Sequence, residues 1–239
     1  MLKKIWFIFA LCPLFLLGQK TNENQLNIEF IHKVDSQILT LDTAKYFNAL
    51  GQPFFITKFK YYISQIELIN EKGKKTESHE VFLINEEEPA SKKISISKVK
   101  DGEYSQIQFI LGVDSLRNCS GAQSGALDPI HAMFWTWNSG YIFLKLEGKS
   151  TESSATGNIF EYHIGGYKEP SNCIQTIHFN LKSPLIFSKK SSQNLTIQVN
   201  VAELLKHPVV IDFKTMPSVT DTKNAKLIST NYSDMFSIQ

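Results

Sequence analysis

The chain has 239 residues, 42% of them hydrophobic and 20% charged, which suits one large globular domain or two small ones and excludes a mainly disordered protein. Its 25 basic and 23 acidic side chains give a formal charge of only +2. With no run of five like charges, it lacks the electrostatic footprint of a nucleic-acid or anionic-membrane binder.

The first element is a leader. Lys3 and Lys4 precede an apolar run from Ile5 to Leu17, which ends in Leu17-Gly18-Gln19. The run is shorter than the roughly 20 residues that cross a bilayer, and it has the charged start and small-residue exit of a secretory signal peptide. Residues 1–18 are therefore expected to be removed. Residues 19–239 are then expected as one secreted or periplasmic domain without membrane insertion. Removal takes two lysines and no acid and leaves the remainder formally neutral.

Strand signals follow. From Phe54 to Ile69 aromatic and β-branched residues recur at period two, with Phe55, Phe59, Tyr61 and Ile63 on one face. Similar runs lie at Val81–Ile84, Ile94–Val99, Tyr104–Leu111, Tyr141–Leu146, Ile159–Ile164, Cys173–Leu181, Leu195–Val201 and Val209–Phe213. Short strands separated by turns such as NEKGKK and GGYKEPSN predict an all-β fold, an antiparallel β-sandwich in a single domain. Helix is expected only at Val201–Lys206 and in a short C-terminal segment within Asp221–Phe236.

Without the leader two cysteines remain, Cys119 and Cys173. In an oxidising compartment the expectation is a disulfide, whose loop of about 55 residues would stabilise the fold by roughly 4 kcal/mol on the chain-entropy model. A soft-metal thiolate pair is the rival.

Chemistry concentrates at Met133-Phe134-Trp135-Thr136-Trp137-Asn138-Ser139-Gly140-Tyr141, which holds every tryptophan outside the leader. Extended, this segment places His131, Met133, Trp135 and Trp137 on one face. Imidazole and thioether suit copper, particularly Cu(I). The same alternation equally describes an aromatic cluster filling a sandwich core. At about 3.3 Å per residue, His131 can share an ion with Met133 but not with Trp135 unless the backbone bends. His163 would arrive from another strand, where Gly165 and Gly166 allow close backbone approach. His32 reads as structural, and His79 and His207 as surface residues. Asp128 precedes Pro129 and is expected to bond its own turn, with calcium as the competing role. No HxH, HExxH, CxxC or GxSxG pattern occurs, and Asp114 with Glu147 is one carboxylate pair among many. A non-enzymatic protein is expected.

Several motifs together resemble a known family. They are Tyr61-Tyr62-Ile63-Ser64, Leu111-Gly112-Val113-Asp114 with Asn118, Leu127-Asp128-Pro129, the tryptophan segment through Tyr141, Lys145-Leu146-Glu147-Gly148 and Tyr162-His163-Ile164-Gly165. In this order, from about residue 26 to the end, the chain resembles the MbnP-like family of exported copper-binding proteins. The resemblance implies a secreted β-sandwich binding copper near a tryptophan that a partner of the dihaem cytochrome peroxidase type oxidises to kynurenine. It implies Trp135 as the modified residue, Trp137 as alternate and His163 as a ligand; the imidazole of His131 or the thioether of Met133 is expected, from ligand type, to complete the set. The alternative is a metal-free sandwich offering Trp135, Trp137, Tyr141 and Tyr62 as an aromatic surface for sugar or protein.

Overall fold

The computed structural model describes residues 23–136 and 139–239. The expected leader at 1–18 and Trp137 lie outside the described residues. The strands are β1 (Gln25–Val34), β2 (Gln37–Ile38), β3 (Tyr46–Phe47), β4 (Pro53–Ile69), β5 (Lys75–Asn85), β6 (Lys93–Ser97) and β7 (Gly102–Leu111). They continue with β8 (Phe134–Thr136), β9 (Gly140–Lys149), β10 (Ile159–Gly165), β11 (Gln175–Phe187), β12 (Ser192–Asn200), β13 (Ser218–Val219) and β14 (Phe236–Ile238). Three short helices, α1 (Ser115–Cys119), α2 (Val201–Leu204) and α3 (Thr222–Ser229), complete the set. Among the described residues no helix is long and apolar enough to cross a membrane.

Two sheets face one another. The smaller runs β14-β12-β1-β2, with β6 also on β1, and the larger runs β11-β7-β4-β9-β10-β13, with β3 and β5 on β4 and β8 on β9. The all-β sandwich holds, but it is not purely antiparallel: β1 pairs with β12, and β10 with β13, in parallel. Val209–Phe213, expected as a strand, is irregular, because the Asn231 side chain takes the backbone N–H and carbonyl of Val209 while Ile211 and Phe213 drop singly into the core. The C-terminal helix is α3 alone, capped by Asp221, whose carboxylate accepts from the main-chain N–H groups of Lys223 and Asn224.

The long strand β4 departs from simple alternation. Phe54 and Ile56 face the core, and after a bulge between Ile56 and Lys58 the inward set becomes Phe59, Tyr61 and Ile63. A second bulge before Ile66, where Gln65 has φ 48°, shifts the inward set to Ile66 and Leu68. Each extra residue re-aims the side chains that follow it. Phe55 is accordingly only half-buried rather than sharing the face of Phe59 and Tyr61.

Candidate functional site

The tryptophan, lysine–glutamate and histidine–glycine motifs lie on three adjacent strands. β8 pairs with β9 and β9 with β10. The segment leading into β8 turns through Asp128, whose carboxylate accepts from the N–H of Ile130, as expected of a turn residue. Ala132 then takes the left-handed conformation at φ 56°. Its carbonyl accepts from the ammonium of Lys145 on β9, while the carbonyl of Met133 accepts from the N–H of Ile142. These bonds tie the start of the tryptophan strand to the middle of the sheet.

At the other end of the segment, Gly140 has φ 74°, and a Cβ there would stand 2.3 Å from the side-chain oxygen of Asn118. That oxygen accepts from the N–H of Tyr141, and the Asn118 amide donates to the carbonyls of Val113 and Asp114. Asn118 is thus a buried clamp across the turn.

Trp135 is half-buried, with its ring carbon Cζ3 3.0 Å from where a Cβ on Gly165 would stand. Only glycine leaves room for the indole at this point. A cleft of about 180 Å³ opens at the residue after Gly165, lined by Ser139, Gly166, Tyr167, Lys168 and Thr222 among others.

Two residues before Gly165, His163 sits opposite Lys145 of β9. Its Nε2 lies 2.8 Å from Oε1 of Glu147. Lys58 of β4 donates to the other carboxylate oxygen at 2.9 Å, and the Lys145 ammonium is 3.8 Å from Oε1. The hydrogen bond from His163, with Lys58 next, pulls the Glu147 carboxyl down to about 2. Burial lowers the Lys145 ammonium, with Glu147 opposing that shift. Because the ionised carboxylate only accepts, Nε2 must carry a proton, and neutral His163 keeps its lone pair on Nδ1. Among the described residues no hydrogen-bond partner meets Nδ1.

The remaining candidates are placed differently. Met133 is fully buried in the core. His131 has Nε2 3.1 Å from the carbonyl of Gly125 and lines a groove with Phe82, Leu83 and Ile94. Tyr62 and Tyr141 are fully buried, their hydroxyls donating to the carbonyls of Ala126 and of Gly121 and Leu127, so they offer no exposed aromatic surface.

The expected Cys119–Cys173 disulfide is absent, and both residues are free thiols. Cys119 is exposed at the end of α1, whereas Cys173 is sealed in the core with its thiol donating to the carbonyl of Ser171 at 3.5 Å. Burial pushes the Cys173 thiol up to about 11. The packing that holds one sulfur inside keeps it from the exposed one, and it equally leaves no thiolate pair.

Residues 23–224 match the family model of MbnP. The chain belongs to the MbnP family. The solved structure of MbnP from Methylosinus trichosporium superposes with a TM-score of 0.55 at 14% identity over 78% of each chain, a likeness of fold. No curated protein matches the sequence. At family level the MbnP assignment makes this a methanobactin-associated, copper-related protein. Among the described residues no three His, Cys, Asp or Glu side chains group to hold a metal ion. What does fit copper in this MbnP-family chain is the carboxylate-oriented imidazole of His163. Metal-binding histidines characteristically give their second ring N–H to a carboxylate, which fixes the tautomer and raises the basicity of the ligating nitrogen.

A second His–Glu pair, which the sequence marked only as structural, bridges the two sheets. His32 of β1 is 2% exposed, with Nδ1 2.6 Å from Oε2 of Glu86 and Nε2 2.9 Å from the hydroxyl of Tyr61 on β4. Lys92 holds the same Glu86 at 2.9 and 3.0 Å. Burial lowers the imidazole pKa below its ordinary value, against the opposing pull of Glu86. Burial also opposes ionisation of Glu86, yet the bonds from His32 and Lys92 outweigh it and hold that carboxyl below its ordinary value.

Proposed function

We propose that this protein is an exported, non-enzymatic copper-binding protein in which His163 ligates the metal through Nδ1 beside Trp135. The observation that carries this reading is the Glu147-oriented imidazole with Nδ1 unpartnered among the described residues, two residues from the glycine on which Trp135 rests. The nearby ammonium groups of Lys58 and Lys145 repel a divalent ion about twice as strongly as a monovalent one, so they favour Cu(I) over Cu(II). An indole N–H donates and cannot ligate. Trp135 therefore contributes by packing, or after oxidation to kynurenine, whose amine and carbonyl supply new donors. The chain carries no motif for that oxidation, which falls to a separate haem enzyme of the dihaem cytochrome peroxidase type.

His131 and Met133 are weaker second ligands, because one faces the Phe82 groove and the other lies in the core. The test is metal analysis and peptide mass mapping of protein recovered from the extracytoplasmic fraction of its native host. Stoichiometric copper with kynurenine at Trp135 is expected. Copper-free protein with an intact indole would overturn the reading.

A further inference from the structure

The sequence contains eight tyrosines. Six of them, Tyr46, Tyr62, Tyr104, Tyr141, Tyr162 and Tyr232, donate to main-chain carbonyls, which are not bases at neutral pH. Tyr167 has the Lys168 ammonium as its neighbour, which donates rather than accepts. Tyr61 differs. Its hydroxyl, fully buried, meets the Nε2 of His32 at 2.9 Å.

The proton arrangement follows from the partners. Glu86 is ionised by its bonds to His32 and Lys92, so it only accepts, and Nδ1 of His32 must carry the hydrogen. Neutral Nε2 then presents its lone pair to Tyr61, which stays protonated because burial raises its pKa. The result is one directed chain: Tyr61 O–H to His32, His32 N–H to Glu86, and Lys92 closing it at the surface. The phenol ring is packed at 5.3–6.1 Å between centroids against Phe59, Phe236 and Phe30, in a site closed to water.

We infer that Tyr61 is a redox-active tyrosine, a proton-coupled one-electron donor to an outer-sphere metal-complex oxidant, with His32 as its proton acceptor. In the step, one electron leaves the phenol for the oxidant, the Tyr61 O–H bond breaks and the proton forms an N–H bond at His32 Nε2. The products are a neutral phenoxyl radical, an imidazolium held by the Glu86 carboxylate and the one-electron-reduced oxidant. The atoms barely move, because the hydrogen bond is already formed and a single short transfer suffices. Phenols bonded to carbonyls lack that route, since an amide oxygen is too weak a base to take the proton. The inference does not depend on copper, because neither Tyr61 nor His32 lies on β8, β9 or β10.

The test is flash photolysis of the purified full-length protein with tris(bipyridine)ruthenium(III), generated in place with persulfate, and freeze-quenched electron paramagnetic resonance. A phenoxyl signal is expected, formed more slowly in D2O. Tyr61→Phe should remove the fast-formed signal, whereas Tyr62→Phe and Tyr141→Phe should leave it unchanged. A positioned base contributes about 100-fold, so His32→Gln should slow formation by about that factor. Glu86→Gln keeps an acceptor for Nδ1 with less disturbance to folding, and it should slow formation less. A fast signal that survives Tyr61→Phe would overturn the inference. So would rates indifferent to both D2O and Glu86→Gln.

Discussion

The protein contains two histidine–glutamate pairs of similar geometry whose surroundings give them opposite characters. At His32 both ring nitrogens are engaged, by Glu86 at 2.6 Å and by Tyr61 at 2.9 Å, between two sheets and out of reach of solvent. At His163 one nitrogen is engaged by Glu147 at 2.8 Å, on strands that also carry Lys58 and Lys145, and the side chain is 15% exposed. A carboxylate beside an imidazole therefore does not by itself mark a metal site. What counts is whether the second nitrogen is already satisfied. His32 is a polar staple between sheets, whereas His163 has no partner for Nδ1 among the described residues, which is the lone pair that the proposed copper site would use.

The largest expected effect separates the two pairs by stability. Removing one partner of a buried pair strands the others, so His32→Ala should destabilise by about 3 kcal/mol. For a domain of this size that lowers Tm by roughly 6–12 °C. His163→Ala should cost less, about 1–2 kcal/mol, because Glu147 keeps its bond to Lys58 when the imidazole is gone. Thermal unfolding of the two variants checks this, and equal losses would erase the distinction.

Next is Glu147→Gln. It leaves the imidazole in place but loses the charge that fixes its tautomer, and copper affinity should fall about 10- to 100-fold. Competition titration with a chromophoric chelator reads the change.

Acid should discriminate the pairs in order. The His32 pKa lies below its unfolded value of 6.5, so its stability contribution is complete above pH 6.5 and is lost as pH falls below that toward the folded value. The Glu147 carboxyl lies at about 2 against an ordinary 4.5, so its contribution persists until pH 4.5 and is lost between there and about 2. Wild-type stability should begin to decline below pH 6.5, by at most about 1.4 kcal/mol per pH unit from this one proton. In His32→Gln the curve should stay flatter down to pH 5, as followed by Tm.

The smallest effect concerns sulfur. Cys119→Ser should change stability by less than about 0.5 kcal/mol, as for an exposed residue. Alkylation and mass mapping should label Cys119 in the native protein and Cys173 only after unfolding. A cross-linked pair of peptides would contradict the free thiols.

Much of the sandwich was legible because hydrophobic period-two runs survive in isolation, as in β7 and β10. What alternation could not give was the change of face within β4, because a bulge depends on pairing with β5 and β9 rather than on local sequence. Nor could it give the parallel β1–β12 pair, whose strands are more than 150 residues apart in the chain. At the site, His163 and Trp135 could be named from motif order. Lys145 appeared only as a motif letter, Glu147 as one carboxylate among many and Gly165 as a glycine open to close backbone approach, and their convergence required cross-strand register. His32 read as an ordinary strand residue because its partners Tyr61 and Glu86 are 29 and 54 positions away. The disulfide failed because compartment and cysteine count say nothing about which way a buried side chain points.

The central claim is that His163, and not the satisfied His32, holds copper. Its most direct test is a Cu(I) competition titration of His163→Ala beside wild type, with circular dichroism to verify that both are folded. A loss of at least about 100-fold, close to 3 kcal/mol of binding free energy, is predicted. Unchanged affinity in a folded His163→Ala protein would contradict the account.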